Sequence, residues 1–155
     1  MPTDERASRR EEMVSRLYRE GWGRGDFEVV FELTHPDIVW TAIEGAPDAG
    51  TYRGHDSVRA YMQDWLDEFD FHEGDVQIGK AIEVGERLVC PQRVTGTGKR
   101  SGLRSEIRYA CVYTFGDDEL ILEVNEYATL EEAREAASRR PAPRARRADR
   151  TPTGR

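Results

Sequence analysis

The pattern of apolar and polar positions is clearest in the middle of the chain. Val58, Tyr61, Met62, Trp65, Leu66 and Phe69 fall at i, i+3, i+4, i+7, i+8 and i+11, a wide apolar stripe of helical period behind an opening at Asp56 or Ser57. Further on the period changes to two. Ile107, Tyr109, Cys111, Tyr113 and Phe115 alternate with Arg108, Ala110, Val112 and Thr114, so a strand beginning at Arg104 turns a bulky apolar face one way and a smaller, mixed face the other. Gly116-Asp117-Asp118-Glu119 supplies turn residues before Leu120 to Ala128, and the whole stretch predicts a hairpin.

The flanking segments follow the same rules. Thr3 to about Gly21 predicts a helix with Met13, Val14, Leu17 and Tyr18 on one stripe, broken by Gly21, Gly23 and Gly25 around Trp22. Asp26 reads as the N-cap of a short second helix with Phe27, Val30, Phe31 and Leu33 inward. His35-Pro36-Asp37 ends it, because the residue before proline avoids the helical region. Asp37 to Ile43 predicts a strand and Glu44 to Thr51 a loop. Val76 to Val84 and Leu88 to Thr97 predict two more strands, with a turn at Gly85-Glu86 and a basic loop among Gly96, Gly98 and Gly102. Thr129-Leu130-Glu131-Glu132 is a capping box that opens a last helix through about Ser138. Consecutive strands on short connections imply an antiparallel sheet with helices on one face, an α+β architecture. The expected domain is 1–138. Residues 139–155 have no apolar period and three prolines, and are expected to be a disordered tail.

Charge then narrows the partners. The chain carries a formal net charge of −7, but the tail holds seven arginines against one aspartate, leaving 16 basic and 29 acidic side chains on the body. An acidic body argues against nucleic-acid binding, which needs a basic face. No apolar run reaches transmembrane length, and Met1 to Arg6 lacks a hydrophobic signal core. Cys90 and Cys111 are too few for a disulfide framework. The expectation is a cytoplasmic protein with reduced thiols and no membrane partner. His35, His55 and His72 are isolated from one another, and Gly96 to Gly102 lies between antiparallel strands rather than opening a helix, so neither a metal nor another cofactor is expected.

Four stretches resemble the nuclear-transport-factor-2-like superfamily, and within it the SnoaL-like, polyketide-cyclase-like proteins: Trp22-Gly23-Arg24-Gly25-Asp26, His35-Pro36-Asp37-Ile38-Val39-Trp40, Tyr52-Arg53-Gly54-His55-Asp56-Ser57-Val58, and Glu126-Tyr127-Ala128-Thr129-Leu130-Glu131-Glu132-Ala133. The resemblance spans Glu12 to about Ala137. It implies a cone-shaped, strongly curved antiparallel sheet with three helices on its concave face, a central pocket for a small, mostly apolar cyclic ligand, and a homodimer. The apolar strip Val89, Ala110 and Val112, on the other face of the sheet, would otherwise meet water and so fits a dimer contact. The fold hosts isomerases, cyclases, epoxide hydrolases, dehydratases and non-catalytic proteins, so it does not by itself name a reaction.

Two residues carry the catalytic expectation. Tyr18 lies where the similar ketosteroid isomerases keep a tyrosine that hydrogen-bonds the substrate oxyanion, and a phenol in a dry pocket stabilises such charge. Glu126 lies where SnoaL-like cyclases and limonene-type epoxide hydrolases keep a carboxylate, which an apolar cavity turns into a general acid or base. The isomerase base and acid positions fall near Thr41 and Cys111, neither of which fills the role, so steroid isomerisation is rejected. Arg93 pairs with Glu126, in either a structural or a functional role; the hydrolases' accompanying aspartate is missing, Thr95 standing there. Trp22, Trp40, Tyr61, Trp65, Cys111 and Tyr113 complete the expected ligand-binding set, with Tyr109 in the same aromatic group. Glu44 is a further acid near the expected mouth. The competing expectation is a non-catalytic dimeric ligand-binding or assembly domain whose pocket is plugged by its own rings, with an interior volume below roughly 300 Å³. A third, weaker reading makes the arginine tail an adaptor segment.

Overall fold

A computed structural model describes residues 3–43, 49–72 and 74–139, with the side chains of Thr3 and Asp4 excepted. The expected tail from 140 onward and the acid at Glu44 lie outside the described residues. The described residues form four helices and an eight-stranded sheet. In chain order these are α1 (Thr3–Arg16, continuing as a wide π turn, Leu17–Trp22), α2 (Phe27–Leu33), β1 (Thr34–Thr41), β2 (Thr51–Arg53), α3 (Gly54–Glu68), β3 (Phe69–Asp70), β4 (Val76–Ile78), β5 (Ile82–Val84), β6 (Arg87–Gly98), β7 (Arg104–Phe115), β8 (Ile121–Tyr127) and α4 (Leu130–Ser138).

The long hairpin of β6 and β7 is the spine, in register from Arg87↔Thr114 to Thr97↔Arg104. β8 adds antiparallel to β7, and β1 adds to β8, with β2 outermost beside it. The β1–β8 pairing is parallel, so the sheet is mixed rather than wholly antiparallel. Sequence patterns did not reveal this, because β1 reaches β8 only through helices and the other strands. Pro36 sits in β1 where the ladder breaks: register shifts between Thr34↔Ile121 and Val39↔Glu123, since proline offers no N–H to the neighbouring strand. A second proline divides the opposite edge. Val76 to Val84, expected as one strand, is split into β4 and β5, which pair with β6 on either side of Pro91. Between them Gly79 N–H donates to Pro91 O at 2.7 Å, and a Cβ on Gly79 would come within 2.9 Å of the Pro91 ring.

α1, α2 and α3 cover one face of the sheet, where Leu88, Cys90, Cys111, Tyr113, Val124, Trp40 and Ile38 are buried against Val14, Leu17, Val30, Val58 and Met62. Asp26 caps α2 as expected, accepting from Glu28 N–H at 3.2 Å and Val29 N–H at 3.4 Å. α3 begins two residues before the expected Asp56, because β2 runs straight into it and Gly54 makes the corner at φ +85°. Its N-cap Arg53 makes no side-chain cap bond. The start of α1 is tied to the β7–β8 turn, where Arg10 lies over Phe115 and grips Glu119 through two bonds of 2.9 and 3.0 Å.

α4 corrects the expectation of a bare outer face. Thr129 Oγ1 accepts from Glu132 N–H at 3.1 Å, as the capping box implies. The helix then lies across the side of the sheet opposite α1–α3, where Ala133 and Ala137 bury Val89, Ala110 and Val112. The strip expected to meet water is therefore covered by the chain itself and gives no physical reason for a dimer.

Candidate functional site

Strand alternation and helix spacing bring the site together. On β7, Tyr109 and Ile107 follow Cys111 on the helix-covered face; on β8, Glu126 stands opposite Cys111 and two residues from the buried Val124. Tyr61 and Trp65 lie one turn apart on α3. Tyr18 and Trp22 come from the π turn, whose extra residue stacks their rings nearly parallel, 9° apart, with centroids 6.3 Å from one another. The same turn approaches α2 so closely that a Cβ on Gly21 would lie 2.6 Å from Val30 Cγ2. Tyr18, Trp22, Tyr61, Trp65, Tyr109, Glu126, Ile43, Val76, Val94 and Ile107 enclose a cavity of about 60 Å³. Ile107 is partly exposed at its rim. Tyr18 and Val76 also form one wall of an outer groove of about 390 Å³ that runs past Arg19, Arg24 and His72.

Among the described residues, Glu126 is the charged group of this wall, and no lysine, arginine or histidine lines the cavity. Its carboxylate is held from three directions. Trp40 Nε1 donates to one oxygen at 2.8 Å, Ile43 N–H donates to the other at 3.1 Å, and Tyr61 Oη donates across both at 3.1 and 3.4 Å. Bonds from neutral donors stabilise an ionised carboxylate and fix its direction. Behind the opposite wall runs a second polar chain. Tyr113 Oη meets Gln92 Oε1 and, at 2.9 Å, Tyr18 Oη; Gln92 Nε2 donates to Tyr109 Oη at 3.0 Å. Burial pushes the Tyr18, Tyr109 and Tyr113 phenols and the Cys111 thiol well above their ordinary ranges, and burial pushes the Cys90 thiol up to about 12. All five are protonated at neutral pH. The buried indole nitrogens of Trp22 and Trp65 have no hydrogen-bond partner among the described residues.

The structure places Tyr18, Trp22, Tyr61, Trp65 and Glu126 around one cavity. Trp40, Cys111 and Tyr113 stand one layer behind it: Trp40 through Glu126, and Cys111 and Tyr113 through Tyr18. Trp40, not Thr41, is the inward residue at that point of β1; Thr41 Oγ1 lies 3.5 Å from Thr51 Oγ1 on the other side. Arg93 does not reach Glu126. It sits opposite Arg108 on the outer face, bonded to Gln77 and 3.5 Å from Glu106, because residue 93 has the opposite strand parity to Gln92 and Val94. The expected pair is thus corrected, and Trp40, Tyr61 and Ile43 N–H take its place. Gln92 was not picked out from sequence; a glutamine at an inward position of a buried strand was the available signal. Cys90 and Cys111, opposite each other on β6 and β7, are free. Among the described residues no group of three or more His, Cys, Asp and Glu side chains could hold a metal, and no helix is long and apolar enough to cross a membrane.

A curved sheet filled on one face by three helices, with a ring-lined cavity between them, defines the nuclear-transport-factor-2-like, ketosteroid-isomerase-like class of fold. Within that class the chain belongs to the SnoaL-like family: residues 14–124 match the SnoaL-like domain model. It is similar to a SnoaL-like protein from Jannaschia sp. CCS1, with 22% identity, 86% of this chain and 94% of that one covered, and a TM-score of 0.66. It is similar to a ketosteroid-isomerase-like-fold protein from Catenulispora acidiphila DSM 44928, solved in complex with trimethylamine, with 16% identity, coverage of 84% and 98%, and a TM-score of 0.63. TerC co-crystallised with polyporic acid also matches, with 20% identity, coverage of 84% and 98%, and a TM-score of 0.63. At these identities the likeness concerns the fold. No curated protein matches the chain in sequence.

Proposed function

We propose that this protein binds a small, mostly apolar cyclic ligand between its sheet and helices and performs an acid–base step on it, with Glu126 as the proton-transferring group. The observation that carries this reading is the Glu126 carboxylate itself, aimed into a ring-lined cavity by donors from β1, from Ile43 two residues beyond its end, and from α3. A side chain oriented by three separate elements keeps its reactive oxygens in place without help from the ligand. In the step, the carboxylate takes a proton from a ligand carbon or oxygen, becomes a carboxylic acid, and returns the proton at a second position. A neutral phenol of the opposite wall donates to the ligand oxygen on which charge develops. Two fold relatives, one solved in complex with trimethylamine and one co-crystallised with polyporic acid, support a ligand-binding use of this fold.

The cavity volume favours a second reading. About 60 Å³ holds roughly two water molecules, far below the roughly 300 Å³ of ordinary ligand pockets. Such an interior fits a non-catalytic domain plugged by its own rings, unless Tyr18 and Val76 shift and join the cavity to the groove outside. Thermal-shift screening with cyclic ketones, epoxides and aromatic acids separates the two. The catalytic reading expects stabilising ligands, and a loss of turnover on the order of 100-fold or more in Glu126→Gln. It fails if no compound stabilises the wild type, or if Glu126→Gln turns over normally. A homodimer remains part of the proposal on family grounds; sedimentation showing a monomer at micromolar concentration would remove it.

A further inference from the structure

The cavity wall combines rings with a negative charge. Tyr18, Trp22, Tyr61, Trp65 and Tyr109 supply five aromatic rings, Glu126 supplies a carboxylate, and no lysine, arginine or histidine lines the space among the described residues. Beside the parallel pair of Tyr18 and Trp22, Tyr61 stands at 89° to Trp22 and Trp65 at 71°, with centroids 6.0 and 6.5 Å away. Ring planes at steep angles enclose a compact group from several sides, whereas a flat ligand is held between parallel faces. The volume of about 60 Å³ has the same sense, since it suits a group of a few heavy atoms. Aromatic faces attract cations through their quadrupole, more strongly where water is excluded, and alkylated ammonium ions are recognised in this way.

The surroundings of Glu126 agree. Ile43 and Glu126 also line an outer groove of about 400 Å³, which carries Glu132 as a second carboxylate and no basic side chain among the described residues. Arg19, Arg24 and His72 lie in the other groove, across Tyr18 and Val76. Residues 1–138 hold 29 acidic against 16 basic side chains, a balance that draws cations toward the body. An arginine beside Glu126 would repel a cation, but Arg93 stands on the outer face of the sheet. We propose that the ligand of this cavity carries a small organic cation, an alkylated ammonium group whose carbons lie against the rings and whose charge faces Glu126. This rests on the ligand-binding half of the reading above and adds no step to the proton transfer.

Tetramethylammonium chloride is the probe, with sodium chloride at equal concentration as its reference and tert-butanol as a neutral molecule of similar size. Tm should rise saturably with tetramethylammonium beyond the sodium reference, and tryptophan fluorescence should change with the same midpoint. tert-Butanol should bind at least about tenfold more weakly. Trp65→Leu keeps an apolar wall and removes one ring; Glu126→Gln keeps the shape and removes the charge. Each should bring the two affinities to within about threefold of one another. Equal binding of the two molecules by the wild type overturns the inference, and so does a preference for the cation that survives both variants. The wild-type comparison decides even where a variant fails to fold. If cyclic ketones, epoxides or aromatic acids stabilise the protein and tetramethylammonium does not, the inference fails while the ligand-binding reading stands. If nothing binds, both fail.

Discussion

Replacing Glu126 by alanine separates a residue that merely fits from one that three elements are built to hold. The change removes the acceptor of Trp40 Nε1, Ile43 N–H and Tyr61 Oη together. These losses are not equal. Ile43 and Tyr61 line the cavity, so a water molecule can replace the carboxylate for them. Trp40 is fully buried, and its indole has no second acceptor among the described contacts. An orphaned buried donor costs about 1–3 kcal/mol, so the expected loss is about 2 kcal/mol, well outside the roughly 0.5 kcal/mol of ordinary surface changes. Urea unfolding at unchanged m reads it. Trp40→Phe removes the donor instead, and in the double variant the orphan no longer exists. The cycle should therefore show a coupling of about 1 kcal/mol or more. Glu126→Gln keeps the shape and one acceptor oxygen, and should stay within about 1 kcal/mol of the wild type, which makes it the variant in which lost turnover means lost chemistry. An alanine variant within 0.5 kcal/mol of wild type, or additive single changes, would refute this account of how Glu126 is held.

Three further outcomes follow from the same contacts. Gly21→Ala drives a methyl to 2.6 Å from the fully buried Val30, a β-branched side chain that cannot fold away, and should cost about 1–3 kcal/mol in thermal or urea unfolding. The Arg10 hydrogen bonds hold the Glu119 carboxyl below its ordinary 4.5; a depressed carboxyl contributes stability above that value and loses it as pH falls, so Arg10→Met should flatten the acid limb of a stability–pH curve. At the alkaline end burial holds Tyr18, Tyr109 and Tyr113 protonated, so stability should fall as pH rises past the ordinary phenol value of 10.0, and absorbance titration should show these tyrosines ionising only with unfolding. A smooth titration of all six tyrosines near that value in a folded protein would contradict the burial of the wall.

The elements that sequence patterns reveal are those whose side chains meet a single environment along their length. α3 and β7 have one wet face and one dry face, so their periods of 3.6 and two stand out in the chain. The misreadings concern places where a backbone property decides. Pro36 and Pro91 each leave a strand partner without an N–H, which shifts the β1–β8 register and cuts one expected strand into β4 and β5. The π turn after Arg16 is set by packing against α2, not by any local preference for a wider helix. The small side chains of Ala133 and Ala137 allow α4 to lie flat on Val89, Ala110 and Val112, and no pattern within a nine-residue helix says which face of a sheet it will choose.

The site was legible to the extent that its members share an element with the core, and illegible where one strand position separates inside from outside. Glu126 could be picked out only through the resemblance, as the position where SnoaL-like cyclases and limonene-type epoxide hydrolases keep a carboxylate; in the fold it lies two residues from the buried Val124, where a carboxylate demands donors. The identity of those donors depended on parity: Trp40 rather than Thr41 turns inward on β1, and Arg93 turns outward on β6 between the inward Gln92 and Val94. That single parity replaces an arginine counterion with an indole, a phenol and a backbone amide, and so changes the chemistry available to Glu126. A carboxylate facing a guanidinium would be pinned as an ion pair and slow to accept a proton. The indole, the phenol and the backbone amide instead fix the direction of the Glu126 oxygens from β1, the segment after it and α3, so orientation at the cavity wall is what this set of partners supplies.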